Sequence, residues 1–483
     1  MGQEGDRDET GDILGRITYS RRSFFKGLTA SGLLAGLSEL LRPLSAESST
    51  TKVSGKVVTE PSRKIPVVKE VDVIVVGGGM AGCCGAIAAG RMGLKTIIVE
   101  YFGFFGGNAT NSLVDSLCGF FTRTENRIPL VKGIGGEIIE TLVQRKGGEQ
   151  LKNCYTIEPE LLKLVLDEKV MDAKVEPLFY SPMVSPIIQN NIVKGIVIEN
   201  KGGRQAILGK MVLDCTGDGD VCALANVPFE LGDGKGQFYG VDMGFQLVNV
   251  DDKRLDLKDL EALQKEAITS GQYKLTRVGG NLGNIGIPGV HWANMARIPW
   301  AVNGTDPYQL TRSVIEGRQI VREWVRFLRD KFPGLENAEI VETAARIGLR
   351  ETRRVMGEHL LTAEEVLKGT KFDDGIGANA WPIEQHIPGL LERKMFFLKG
   401  DDYHTIPYRS LVPKKVENLL MAGRFVSATH DALASIRVSG PAAVMGHAIG
   451  TAAALSIKEK VSPRRLKVTH LQKELEKAGA FLG

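Results

Sequence analysis

Residues 71–76, VDVIVV, form a short apolar run broken by one acid, the pattern of a strand buried on both faces of a parallel sheet. Small residues continue helically from Met80, and residues 95–99 end in a second apolar run that predicts the next parallel strand. Helical periodicity covers 133–142 and 159–171. Residues 192–199, 204–208 and 210–214 read as three strands, the first two joined by Lys201-Gly202-Gly203 as in a meander. Beyond about Pro228 the pattern turns to loops and amphipathic helices, among them 306–332 and 362–367. Residues 418–422 are a further apolar strand, 441–455 a small-residue helix able to pack closely, and 468–478 a charged helix. The order predicts an α/β fold: a doubly wound parallel sheet with a β-meander and an inserted α+β cap domain. The expected divisions are a leader at 1–46, a linker at 47–70, the first part of the nucleotide-binding domain at 71–227, the cap at 228–400, the second part at 401–460 and a C-terminal helix at 461–483.

The turn between the first strand and its helix carries Gly77, Gly79 and Gly82 as G-x-G-x-x-G. Gly77 permits a tight turn, Gly79 lets backbone approach a pyrophosphate, and Gly82 lets helix and strand pack closely. The helix N-terminus offers free N–H groups to phosphate. Glu100 ends the second strand, about 20 residues past the loop, where an acid accepts hydrogen bonds from a ribose. A second such motif is missing from the sequence, which argues against a separate nicotinamide domain.

A chain of 483 residues can hold about two domains. Its formal net charge of +4 is small and no basic cluster accompanies it, so nucleic acid is excluded as a partner. The cysteines are Cys83, Cys84, Cys118, Cys154, Cys215 and Cys222. None forms C-x-x-C, so neither a thioredoxin-like dithiol nor an iron–sulfur ligand set is visible, and Cys83-Cys84 reads as two buried helix residues. The seven histidines lack ligand spacing, so no metal site is expected.

Ser20-Arg21-Arg22-Ser23-Phe24-Phe25-Lys26 precedes an apolar run at 27–41, then Arg42 and Leu44-Ser45-Ala46. The pattern predicts a twin-arginine signal, with the export machinery of that name as a partner and a periplasmic or extracellular destination. That route carries folded proteins, which suits a chain that loads a nucleotide before export.

More distant segments extend the picture. Asp214-Cys215-Thr216-Gly217-Asp218-Gly219-Asp220 resembles a D-A-T-G-D-G-D block, and Arg350-Glu351-Thr352-Arg353-Arg354 with Gly357-Glu358 resembles R-E-T-R-R-x-x-G-E. Tyr403, Ile406-Pro407-Tyr408 and Leu411-Val412-Pro413 resemble Y-x-x-I-P-Y-x-x-L-x-P. Residues 418–424, then Ser427, His430, Ala432, Arg437 and 446–454, resemble a C-terminal flavin-side block. Together these resemble the FAD-dependent oxidoreductases of glutathione-reductase-like fold, in the branch related to heterodisulfide reductase, over nearly all of 71–454.

The resemblance implies FAD as cofactor. It implies that Gly77, Gly79 and Gly82 hold the pyrophosphate and Glu100 the ribose, with Gly106, Gly107 and Asn108 along the phosphates and flavin edge. Val184 would meet the adenine through its backbone, Thr216 and Gly217 would close over the cofactor, and Gly423 and Arg424 would face the ribityl chain and ring. The last helix would aim its positive end at the flavin pyrimidine. The branch's iron–sulfur ligands have no counterpart here.

His430 is the first candidate for substrate acid/base and Arg437 for binding a substrate carboxylate or oxyanion. Arg353 and Arg354 are secondary anchors for an anion, and His386 and His404 rank below His430. The expected activity is exported FAD-dependent oxidoreduction of a small organic substrate by hydride transfer to or from flavin N5. A redox partner protein or quinone is the other expected partner. The alternative is a flavin-containing electron-transfer subunit of a larger complex.

Overall fold

A computed structural model of the chain describes residues 52–54, 56–123, 127–151, 154–400 and 402–483. The leader at 1–46, with Arg21 and Arg22, lies outside them. Contacts divide the chain into 1–64 and 65–483. Within the first unit Lys52–Ser54 and Val57–Thr59 pair as an antiparallel hairpin, so the linker expected over 47–70 holds regular structure. Its end is also ordered. The strand Val67–Val76 begins ahead of its apolar run, because Val67 already pairs with Ala206.

The second unit is a mixed α/β fold built on a parallel sheet. Its parallel strands run in the order Glu176–Leu178, Thr96–Val99, Val67–Val76, Gly203–Asp214 and Leu419–Met421. The first half of Gly203–Asp214 also pairs antiparallel with Ile192–Asn200, which pairs with Met183–Gln189. One long strand thus serves both the parallel sheet and the meander. Two strands were expected at 204–208 and 210–214. Gly209 between them is not a turn. It faces Val71 in the ladder, and a Cβ there would sit 2.8 Å from the Ile74 side chain.

The helix Met80–Arg91 is buried along nearly its whole length, which its glycines and alanines allow. The helix Ser439–Glu459 crosses it in backbone contact. A Cβ on Gly446 would strike the Ala81 carbonyl, and one on Gly450 the Gly85 carbonyl. Among the described residues Ser439–Glu459 is the one helix long and apolar enough to cross a membrane, and it is buried inside the fold.

A second core forms around an antiparallel sheet in the order Asn281–Asn284, His291–Arg297, Asp242–Val248 and Glu339–Thr343. The helix Pro307–Lys331 packs Val321, Trp324, Phe327 and Leu328 into it. This body lies within the cap expected at 228–400, yet the segment behind it differs. Val355, Leu361, Ile376, Ile383 and Leu398 pack into the first core, so the chain returns to the nucleotide-binding half well before Gly400.

Candidate functional site

The first turn is fixed from its inner side. Gly77 takes φ +99°, and a Cβ there would press into the Cys215 carbonyl. A Cβ on Gly82 would overlap the Gly77 carbonyl oxygen. Gly79 differs: its φ is −71°, and a Cβ would meet only Gly107 Cα, at 3.8 Å. Gly79 faces open space, and that space is a cavity of about 1090 Å³. Gly77, Gly106, Gly107 and Asn108 line it too; Gly82 does not, and serves packing.

Glu100 lies on the same wall and accepts the Gly78 N–H at 2.6 Å and the Phe102 N–H at 2.9 Å. Burial pushes its carboxyl upward, and those two bonds oppose the shift. Each oxygen keeps acceptor capacity for a hydroxyl. Val184 is not on the wall, but its neighbour Met183 is. Met183 pairs with Ile198 and Ser185 with Val197, so Val184 is the extra residue of a bulge, with its backbone out of the ladder.

Beyond the strand Gly203–Asp214 the wall is held by buried acids. Asp214 accepts from the Thr216 N–H and hydroxyl at 3.1 and 2.7 Å and from the Cys222 N–H at 2.9 Å. Burial raises its carboxyl to about 6. These bonds shape the turn that sets Thr216 and Gly217 on the wall. Asp218 accepts from Arg346 and Arg424, each at 2.7 Å, and from the Thr352 hydroxyl at 2.8 Å. Burial alone would raise Asp218, but the two guanidiniums override it and hold the carboxyl well below its usual range. Gly423 and Arg424 line the cavity, and Arg424 Nε is a buried donor without a hydrogen-bond partner among the described residues.

Another part of the wall is cationic. Arg123, Arg277, Arg350, Arg393 and Arg437 line it, against the carboxylates of Asp242 and Glu384. Asp242 is ion-paired with Arg350 and lies 3.5 Å from both Arg277 Nη1 and Arg297 Nε. Arg297 Nη2 donates to His386 Nδ1 at 2.6 Å, which leaves the His386 proton on Nε2, 3.4 Å from Glu384 Oε1. Burial, with Arg350 nearby, holds His386 well below the usual imidazole pKa, so it is neutral. Burial lowers Arg437 to about 10, which keeps it cationic at neutral pH. Its Nη2 lies 3.8 Å from Glu384 Oε2, and its Nε has no partner among the described residues.

The family model described as FAD dependent oxidoreductase matches residues 72–475. The chain belongs to this family. FAD is the cofactor of this oxidoreductase, and the residues fit it: an open backbone at Gly79, an acid with spare acceptor capacity at Glu100 and an unpaired guanidinium donor at Arg424. Among solved structures, the oxidoreductase is similar to a geranylgeranyl bacteriochlorophyll reductase-like protein from Thermoplasma acidophilum, at 14% identity and TM-score 0.43, covering 85% of this chain and 83% of that one. It is also similar to a p-nitrophenol 4-monooxygenase from Pseudomonas putida, at 12% identity and TM-score 0.42, covering 84% of each. A flavin-dependent brominase matches at 12% identity and TM-score 0.42, covering 85% and 83%.

Arg437 lies on the cavity wall of the oxidoreductase; His430 does not. His430 opens the helix His430–Ile436, its Nδ1 lies 2.8 Å from Glu351 Oε1, and its ring stacks on Tyr239 with centroids 4.1 Å apart. His404 is fully buried against Asn379 and Thr405, away from the wall. Arg353 and Arg354 are likewise off the wall and act as ties: Arg353 binds Asp220 at 2.7 Å, and Arg354 binds Glu230 at 2.6 Å and the Ala428 carbonyl at 2.9 Å. Arg350 of the same motif is the one that reaches the cavity.

Sequence reasoning passed over Arg123, Arg277 and Arg393, which sit in no motif. It also passed over a disulfide between Cys118 and Cys154, which stand opposite each other in the antiparallel strands Ser116–Cys118 and Cys154–Ile157. Both cysteines line the cavity. A search for C-x-x-C cannot find a pair separated by 36 residues.

Proposed function

We propose that this oxidoreductase is exported and acts on a small organic acid, with hydride transfer to or from flavin N5. The observation that supports an acid is the imbalance of charge on one part of the cavity wall, where Arg123, Arg277, Arg350, Arg393 and Arg437 stand against Asp242 and Glu384; over the whole wall seven arginines face five carboxylates. A substrate carboxylate would relieve that imbalance and satisfy the unpaired Nε of Arg437. Bound FAD supplies the two-electron donor or acceptor. Arg437 orients the acid, and neutral His386 holds Glu384 in place through its Nε2–H. Electrons leave through a redox partner protein or a quinone. Export is supported by the arginine pair at Arg21 and Arg22, and by a disulfide, which suits an oxidising compartment.

An anaerobic screen of organic acids against their amides and alcohols, followed by flavin absorbance, tests the reading. Acids are expected to bleach the flavin and neutral analogues to leave it oxidised; bleaching by neutral compounds alone would overturn it. Replacing Arg21 and Arg22 by lysine is expected to leave folded, yellow protein in the cytoplasm. Fractionation that still finds the double variant outside the inner membrane would exclude twin-arginine export.

A further inference from the structure

We propose that the hairpin formed by the strands Ile383–Gln385 and Lys394–Phe396, at the mouth of the cavity, docks on an anionic lipid surface. This goes beyond the organic-acid reading and does not rest on it.

The hairpin follows from its pairing. Ile383 stands opposite Phe396 and Gln385 opposite Lys394, antiparallel, so residues 386–393 are the loop between the strands. The loop is tied to the cap: the Leu391 carbonyl accepts from the Val278 N–H at 3.0 Å, and Glu392 is ion-paired with Lys265 at 2.9 Å. Leu390, Leu391, Phe396 and Phe397 are nevertheless 39–53% exposed. Four large apolar side chains held out along one short hairpin mark an interaction surface. The surface continues onto a neighbouring segment. Arg123 lies over the Phe397 ring, 4.7 Å from its centroid, and exposed Ile128 donates its N–H to Thr122 Oγ1 at 2.8 Å, beside Arg123.

Charge selects the occupant. Among the described residues of 121–129 and 383–399, Arg123, Arg127, Arg393, Lys394 and Lys399 stand against Glu384 and Glu392. Glu384 is buried and holds Arg393 at 2.8 Å, and Glu392 is taken by Lys265. Arg127, Lys394 and Lys399 are exposed and make no ion pair among the described residues. Exposed Leu and Phe beside unpaired Lys and Arg suit a lipid interface, with the apolar side chains among acyl chains and the cations at phosphates. Such attachment lies on the membrane and does not span it, since the long apolar helix Ser439–Glu459 is buried in the fold.

Position gives the contact a use. Arg393 and Met395 of the hairpin line the cavity, as do Arg123 beside it and exposed Leu151. The cavity therefore opens next to the apolar patch, and an apolar electron acceptor dissolved in the bilayer would enter it without crossing bulk water.

Flotation of the yellow holoenzyme with vesicles tests the proposal. The vesicles are phosphatidylcholine alone or phosphatidylcholine mixed with phosphatidylglycerol. Wild type is expected to float with the anionic vesicles at low salt, less at high salt, and much less with the neutral ones. Each Lys or Arg near an anionic surface strengthens binding by about fivefold, so Lys394→Ala with Lys399→Ala should weaken it by about twenty-five-fold. Burying an exposed Phe contributes about tenfold or more, so Phe396→Ser with Phe397→Ser should weaken it by about a hundredfold. All four side chains are exposed, so both double variants should fold and keep FAD; flavin absorbance and thermal unfolding check this on the same samples. Wild type that stays with the soluble fraction would overturn the proposal and leave the patch to a protein partner. Equal flotation with neutral and anionic vesicles, or undiminished flotation of the double Phe variant, would overturn it too. The wild-type comparison decides even where a variant folds poorly. Flotation is read without turnover, so failure of the organic-acid reading shows as a different result.

Discussion

Glu351, which has no exposed surface, holds His430 Nδ1 at 2.8 Å and lies 3.3 Å from Arg354 Nε. The imidazole is one of three groups that satisfy this buried carboxylate, the third being the Tyr239 N–H at 3.4 Å. His430→Ala is expected to lower unfolding free energy by about 1–3 kcal/mol, since a buried acceptor loses a partner. Flavin content and the rate of flavin reduction should hold. Urea unfolding and anaerobic stopped flow check both. A rate loss of about 10²–10⁴-fold at unchanged stability would instead return His430 to acid/base chemistry.

The three glycines of the first turn should fail in different ways. Gly79→Val places its side chain in the cavity without backbone strain, so the protein should fold, purify and be colourless. Gly82→Ala drives a methyl into the Gly77 carbonyl and should destabilise the whole fold. Flavin absorbance and thermal unfolding on the same samples separate the two. A yellow Gly79→Val protein would place the cofactor elsewhere.

Arg437→Gln removes the cation that faces Glu384 across the cavity wall. Charge-assisted hydrogen bonds contribute about 1.5–3 kcal/mol, so KM for the organic acid should rise by about ten- to a hundredfold. Neutral ligands should bind as before. Equal KM values for wild type and variant would take Arg437 out of substrate binding.

Asp115 gives a pH signature. Its Oδ2 accepts from Gln246 Nε2 at 2.9 Å, its Oδ1 has no partner among the described residues, and burial pushes the carboxyl up to about 8. The folded state then keeps a proton that the unfolded chain loses near its ordinary value of 3.8. Stability therefore falls as pH rises from about 4 to 8, with a slope of up to about 1.4 kcal/mol per pH unit from this group. Asp115→Asn mimics the protonated form and should flatten that part of the profile. Urea midpoints at pH 5 and pH 8 test it, and parallel profiles for the two proteins would refute the assignment.

What could be read from the sequence was local. Gly77, Gly82, Glu100 and the strands around them act on neighbours within one βαβ unit, so their spacing carries their geometry. The flavin-side positions Thr216, Gly217, Gly423 and Arg424 came from resemblance, and all four lie on the cavity wall. What escaped was convergence. Arg277 comes from the loop before the edge strand Asn281–Asn284 and Arg393 from a short hairpin, and nothing near either residue signals a shared cavity. His430 is not on that wall. Closeness to Arg424 in sequence does not fix which way a helix start faces, and its Nδ1 is taken by Glu351.

The strand Gly203–Asp214 is flanked on its second side by Leu419–Met421, and Ala81 and Gly85 receive Gly446 and Gly450. The nucleotide-binding half is therefore written in two stretches of the chain with the cap sheet between them. A nascent chain still on the ribosome carries an open parallel edge and an uncovered apolar helix until residues 419–450 have been made. Products terminated before those residues present to chaperones and proteases the very surface that the finished enzyme hides.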